Sequence, residues 1–233
     1  EPGSDVACLS VMGYDPAEYY TGRGPLEAAS QGIVLKSDEV AFRCNLVTIY
    51  NGKMADYSGG HITSEEGRTL MDVIRKKFSA VDGITFYPGV SYRNLAIIRE
   101  SLLNEGKGEL KTTPPHDILD KVVDKHLPSG KGSVFLNEVM KKASALIEFH
   151  EVNKVRVDLD ENPANAIWLW GQGRTPAMPD FKEQYGLKGA VISAVDLIRG
   201  ISKCAGLDII EVPGITGYID KEYAAKGRYG INA

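Results

Sequence analysis

Several things are scarce in this 233-residue sequence. It has three cysteines, Cys8, Cys44 and Cys204, widely spaced and with no CxxC pair. That argues against a disulfide framework and against a structural zinc site, and favours reduced, largely buried thiols. Its four histidines, His61, His116, His126 and His150, are isolated, with no HExxH or HxxxH pair among them. A two-metal hydrolytic or phosphoryl-transfer centre needs several carboxylate and imidazole ligands, and none can be assembled from this pattern. There is no basic surplus: the formal net charge is −4, which excludes a nucleic-acid partner held by phosphate neutralisation. No apolar run approaches the roughly 20 residues of a membrane-spanning helix, and no signal peptide opens the sequence. No GxxxxGK[ST] run occurs, so a Walker-type nucleotide loop is absent.

What is present suits a globular chain with a substantial core: 43% hydrophobic and 25% charged residues. Residues 1–40 are rich in Gly and Pro and read as loops. Residues 41–50 read as a strand, Asn51-Gly52 as a two-residue hairpin turn, and residues 53–57 as the returning strand. Thr63 and Glu66 make a capping box for a helix with Leu70, Met71, Ile74 and Phe78 on its buried stripe. Residues 84–87 and 91–99 read as strands split by Pro88-Gly89. Residues 103–132 read as a long loop, and Ser133 as the cap of a helix buried through Leu136, Val139, Met140, Ala143, Leu146 and Ile147. This middle block predicts a compact α+β unit. From Ala166 the pattern changes. Short apolar strands at 166–169, 189–192 and 207–212, with a helix over 193–204 ended by Gly206, predict a βαβ unit and a parallel sheet. Residues 223–233 read as a helix.

Four groups of residues could carry chemistry. Ser4, between Gly3 and Asp5, could serve as a nucleophile if its pKa were lowered, although Gly-Ser-Asp is more often a turn or a cap. His61 follows Gly59-Gly60 and precedes a helix N-terminus, a place that favours anions; a plain surface histidine is as good a reading. Arg43, Arg93, Arg156, Arg174 and Lys188 sit in or beside apolar strands and turns, where guanidinium groups can grip carboxylate or phosphate, though each alone is more often a solvated side chain. Trp168 and Trp170 share a strand face and read as core packing.

Longer stretches carry a resemblance. PGSDVACLSVMGYDP, YYTGRGPLEAA, AFRCNLVTIYNGKMADYSGGHITSEEG, FYPGVSYRN, TTPPHDI, NPANAIWLWGQG and GLKGAVISAVDLIRGISKCAGLDIIEVPGITGY together resemble the archaeal-type cofactor-independent phosphoglycerate mutases of the alkaline phosphatase superfamily. The resemblance implies an α/β fold: part of a phosphatase-like parallel sheet over residues 1–40 and 159–233, interrupted by an inserted α+β domain over 41–158 that closes over the site. It implies interconversion of 3-phosphoglycerate and 2-phosphoglycerate in glycolysis and gluconeogenesis, in the cytoplasm, without 2,3-bisphosphoglycerate.

In such an enzyme a metal-bound serine takes the phosphoryl group and returns it to the other hydroxyl. Ser4 matches that serine, as nucleophile and metal ligand. His61 resembles the histidine that contacts the substrate phosphate, and Arg43, Arg93, Arg156 and Lys188 the basic residues that bind substrate. Two divalent metal ions, manganese or magnesium, are implied. The family's first metal-binding Asp-Gly and its later Asp-His cluster are not in this sequence. The expectation is therefore an internal piece of a longer enzyme that does not turn over phosphoglycerate by itself. Oligomeric state is left open. The rival readings are another metal-dependent phosphotransferase or phosphatase of the superfamily, a homoserine kinase included, and a non-catalytic substrate-binding module.

Overall fold

The computed structural model describes residues 3–216 and 223–232. The chain divides into two compact units, Glu1–Leu35 with Gly173–Ala233, and Lys36–Gln172. Glu1, Pro2 and Ala233, parts of the expected N-terminal turn and C-terminal helix, lie outside the described residues.

The first unit opens with three short helices rather than the expected loops: α1 (Ser4–Val11), α2 (Pro16–Tyr19) and α3 (Arg23–Ser30). Helices of one or two turns show too little periodicity to be read from sequence. Local chemistry still explains α2: Asp15 accepts from the Ala17 amide at 2.8 Å, and Pro16 occupies the first helical position.

The second unit is built on β1 (Glu39–Tyr50), which turns at Asn51-Gly52 into β2 (Lys53–Asp56). Both turn residues have positive φ, 48° and 70°, as a two-residue hairpin with right-handed strand twist requires. Then comes α4 (Ser64–Phe78), with the expected capping box between Thr63 and Glu66. It is followed by β3 (Ile84–Val90) and β4 (Arg93–Arg99). The strand break falls at Ser91-Tyr92, not at Pro88-Gly89; Pro88 and Gly89 form an irregularity inside β3, and Ser91 turns the chain with φ 57°.

The loop over 103–132 carries short 3-10 turns and is pinned to the hairpin by Met54 N–H to Lys121 O (3.1 Å) and Val123 N–H to Gly52 O (2.9 Å). In α5 (Ser133–Ile147) the N-cap is Gly132, and Ser133 is the first helical residue, its hydroxyl donating to Gly130 O. The expected stripe is buried at Leu136, Val139, Met140, Ala143 and Ile147, while Leu146 is half-buried. A further helix, α6 (Glu151–Asp158), starts from His150, whose Nδ1 accepts from the Val152 amide.

The next strand, β5 (Ala166–Gly173), pairs with β1. The expected domain boundary after residue 158 therefore moves to Gln172. An apolar run announces a strand but not its partner, and this partner is more than 100 residues away. The resulting sheet runs β2-β1-β4-β3, with β5 against β1. Alternate residues Phe42, Cys44 and Leu46 join Leu70, Met71, Ile74 and Phe78 of α4 in one core. Ala41, Arg43 and Asn45 take the opposite face.

The first unit continues with α7 (Phe181–Tyr185), β6 (Ala190–Val191), α8 (Asp196–Cys204), β7 (Asp208–Ile209) and α9 (Tyr223–Ile231). β6 and β7 are parallel, so the expected βαβ unit is present. The main sheet is nevertheless mainly antiparallel, through β1–β2, β1–β4 and β3–β4, so the fold is mixed α/β with a small parallel sheet in the chain's other unit. α8 ends at Gly206, in the left-handed region at φ 69°. Leu9, Tyr14, Leu26, Leu197, Ile201 and Ala205 form this unit's core. Among the described residues no helix is long and apolar enough to cross a membrane.

Candidate functional site

The pairing of β1 with β4 decides which side chains meet on the face away from α4. Arg43 lies opposite Leu95, and Asn45 opposite Arg93. Directly opposed residues share a face, so Arg43, Asn45 and Arg93 project together. Arg43 is buried at 2% exposure. Its Nη2 donates to Asn45 Oδ1 at 3.1 Å, and its guanidinium lies 5.3 Å from the centre of the Trp170 ring. Trp170 Nε1 donates to the same Oδ1 at 3.1 Å, and Asn45 Nδ2 donates to Tyr57 O at 3.2 Å. The Arg93 guanidinium lies 5.3 Å from the Tyr92 ring, and its Nε is buried with no hydrogen-bond partner among the described residues.

Edge-to-face contacts run from Tyr92 to Tyr57, from Tyr57 to His116, and from His116 to Trp170. Two of the expected basic residues thus share a face, framed by Asn45, Tyr57, His116 and Trp170. The expected core role of the two tryptophans holds: Trp168 is 1% exposed, with Nε1 donating to Thr113 O at 2.8 Å. Trp170 additionally carries Arg43. The signal available in sequence was strand parity, which places residue 45 on the same side as 43.

His61 ends a turn in which Gly59, Gly60 and His61 are all left-handed, at φ 59°, 67° and 52°. Its side chain is exposed. This turn is tied to the start of β4: the Ser91 amide donates to Ser64 Oγ at 3.0 Å, and the Ser91 hydroxyl donates to the Ile62 carbonyl. Arg93 follows two residues later.

Arg156, expected among the substrate-binding residues, is held by the chain itself. It is 3% exposed, behind the turn, and its donors are engaged within the chain. Nε donates to Asn162 O (3.0 Å), Nη1 to both Glu66 oxygens (3.2 and 3.1 Å) with Glu161 at 3.2 Å, and Nη2 to the carbonyls of Gly59 (3.3 Å) and Gly60 (2.7 Å). Its partners lie up to 97 residues away, which no local reading of the sequence shows.

Ser4 and Lys188 belong to the first unit. Ser4 is the exposed first residue of α1, with Gly3 as N-cap. Its neighbour Asp5 is buried and accepts from the Tyr20 hydroxyl at 2.6 Å. Burial and that bond raise the Tyr20 hydroxyl well above its ordinary pKa. Lys188 is exposed, two residues before β6. Burial pushes the Cys44 thiol up to about 12 and the Cys204 thiol up to about 11, so both stay protonated and are poor nucleophiles or metal ligands. Among the described residues no three His, Cys, Asp or Glu side chains come close enough to hold a metal ion.

The profile of the 2,3-bisphosphoglycerate-independent phosphoglycerate mutase family matches residues 1–153. The chain belongs to this family. The 2,3-bisphosphoglycerate-independent phosphoglycerate mutase of Methanothrix thermoacetophila is 53% identical over 232 residues, 100% of this chain and 57% of that protein. The chain thus spans little more than half the length of the curated mutases it matches. A solved Pyrococcus horikoshii protein superposes with a TM-score of 0.71 at 28% identity, covering 99% of this chain and 53% of that one. The cofactor-independent phosphoglycerate mutase from Thermoplasma acidophilum superposes with a TM-score of 0.56 at 25% identity, covering 91% of this chain and 58% of that one.

Proposed function

We propose that this mutase-family chain serves the interconversion of 3-phosphoglycerate and 2-phosphoglycerate through a phosphoserine at Ser4, without 2,3-bisphosphoglycerate, in the cytoplasm as a step of glycolysis and gluconeogenesis. The observation that carries the reading is the placement of Arg43 and Arg93 on one sheet face, with Arg93 Nε buried and lacking a hydrogen-bond partner among the described residues. A buried, unsatisfied guanidinium nitrogen is destabilising by itself and favours an incoming anion. A planar fork of donors matches a carboxylate or a phosphate. Phosphoglycerate carries both groups. His61 and Lys188 are proposed as further contacts to substrate, and Arg156 as support for the turn that carries His61.

The Ser4 Oγ is exposed at the first turn of α1, open to attack on a phosphoryl group. In the first half-reaction the bond between phosphorus and the C3 oxygen breaks and one to Ser4 Oγ forms, the serine proton passing to the released 3-hydroxyl. In the second half the C2 hydroxyl oxygen takes the phosphoryl group, and its proton returns to Ser4. Positioning and neutralisation of charge on the transferring group dominate such transfers. The described residues do not fit the two divalent ions that the resemblance implies: Ser4 has no cluster of carboxylate or imidazole ligands with it among them.

Titration calorimetry with 3-phosphoglycerate, 2-phosphoglycerate and homoserine tests the reading. Saturable binding for which the two phosphoglycerates compete, and from which homoserine is excluded, is the expected result. Homoserine binding, or no phosphoglycerate binding, overturns it.

A further inference from the structure

The turn before α4 is held from both sides: by Arg156, its support in the reading above, and by Asp56, to which that reading gives no part. Three consecutive left-handed residues are unusual, and the third, His61, is not glycine. Glycine is required at the first two. A Cβ at Gly59 would lie 2.8 Å from the Ala164 Cβ, and one at Gly60 would lie 2.5 Å from Asn162 O and 2.6 Å from Arg156 Nη2. The chain is therefore drawn tight against its surroundings where it delivers His61 to the surface.

Asp56 collects N–H and O–H donors from Ser58 and Gly60. Its Oδ1 accepts from the Ser58 amide at 2.7 Å and the Ser58 hydroxyl at 2.6 Å. Its Oδ2 accepts from the Gly60 amide at 3.2 Å and, more weakly, from Asn162 Nδ2 at 3.5 Å. The Ser58 hydroxyl oxygen in turn accepts from the His61 amide at 3.1 Å. The C=O groups face the other way, toward Arg156, whose Nη2 takes the carbonyls of Gly59 and Gly60. Glu66 and Glu161 hold that guanidinium at Nη1. Asp56 takes the N–H of the Gly59–Gly60 peptide unit directly and that of the Gly60–His61 unit through the Ser58 hydroxyl, while Arg156 takes the C=O of both.

We infer that Asp56 and Arg156 are positioning residues for His61: together they fix the Gly59-Gly60-His61 turn so that the imidazole is presented to the phosphate of the substrate. The inference rests on the reading of His61 as a substrate contact. Asp56 is ionised for this purpose at neutral pH: burial raises its pKa, but the hydrogen bonds from Ser58, Asn162 and Gly60 outweigh that and hold it below the ordinary carboxylate value.

The test uses the whole chain. Asp56→Asn keeps the shape but turns an amide NH2 toward donors that need an acceptor. Amide hydrogen exchange at Gly60 and His61 is measured without ligand. Affinity for 3-phosphoglycerate is measured for wild type, Asp56→Asn, His61→Ala and the double variant. The expected result is exchange at both amides about ten-fold faster in Asp56→Asn, and affinity weakened about ten-fold, with no further weakening when His61→Ala is already present. Arg156→Lys, which keeps the charge and loses the fork, serves if Asp56→Asn does not fold and gives the same pattern. Unchanged exchange, or losses that multiply in the double variant, overturns the proposal. A wild-type chain that binds no phosphoglycerate refutes the substrate reading instead, and the exchange data still decide whether Asp56 holds the turn.

Discussion

Arg43 and Arg93 are diagonal neighbours on one face of the β1–β4 ladder, because Arg43 opposes Leu95 while Asn45 opposes Arg93. Diagonal residues of an antiparallel pair lie about 7–8 Å apart at the backbone, close enough for both guanidinium groups to reach one small dianion. The two arginines differ in what else they hold. Arg43 is buried against Trp170 and Asn45, whereas Arg93 is half-buried. Arg43→Ala should therefore lower stability by about 1–3 kcal/mol through lost stacking and an unfilled site, while Arg93→Ala should stay within about 0.5–1 kcal/mol of wild type. Urea denaturation of both variants checks this. Equal losses would show that the two are not held as described.

Trp170 should report ligand binding. The Arg43 guanidinium lies over its ring, and Asn45 ties Trp170 Nε1 to the same hydrogen-bond centre. Trp168 sits apart from that centre, bonded to Thr113. Adding 3-phosphoglycerate should change the intrinsic tryptophan fluorescence of the Trp168→Phe variant and leave that of Trp170→Phe nearly unchanged. The reverse assignment would place the ligand elsewhere.

In the first unit α3 and α8 approach closely at Gly200, where an added Cβ would run into the backbone carbonyl of Leu26. Alanine normally favours a helix over glycine by about 1 kcal/mol. Here the overpacking should outweigh that, and Gly200→Ala should destabilise by about 1–3 kcal/mol. Thermal and urea unfolding measure it, and a gain in stability would mean that the helices are further apart.

Acid should weaken the turn that carries His61. Asp56 is held below its ordinary pKa, as described above. Glu66 is also lowered: burial raises it, but the Thr63 hydroxyl and amide and the Arg156 guanidinium outweigh that. A carboxyl with a depressed folded-state pKa adds stability above its unfolded value, and that stability is lost as pH falls through the folded value. The urea midpoint should therefore be nearly flat from neutral pH to about 5 and fall below about 4. Asp56→Asn should be less stable at neutral pH and lose less on acidification. An identical acid slope in that variant would contradict the role given to Asp56.

What could be read from the sequence was local. The Asn51-Gly52 hairpin and the Thr63/Glu66 capping box are chemistry between near neighbours, and both are present. The apolar stripe of α4 and the β6–α8–β7 unit follow from periodicity over a single element. The helices of residues 4–30 were not legible, because elements of four to eight residues leave no periodic trace. β5 was legible as a strand, but its pairing with β1 was not. At the site, Arg43 and Arg93 stood out as arginines within apolar strands. Arg156 stood out too, but its donors are taken by Glu66, Gly59, Gly60 and Asn162, so the same residue type in a similar sequence setting takes a different place. Asp56 and Asn45 gave no signal, since an Asp before a turn and an Asn in a strand are individually unremarked.

The face of β1 and β4 that carries Arg43 and Arg93 is the proposed anion site. Calorimetric titration of 3-phosphoglycerate into the chain and into its Arg93→Ala variant tests that face directly. The account predicts saturable binding that weakens about ten-fold or more in the variant, the loss expected for one charge-assisted pair, with its fold retained. Binding of equal strength in the two, or none in the wild-type chain, would contradict it.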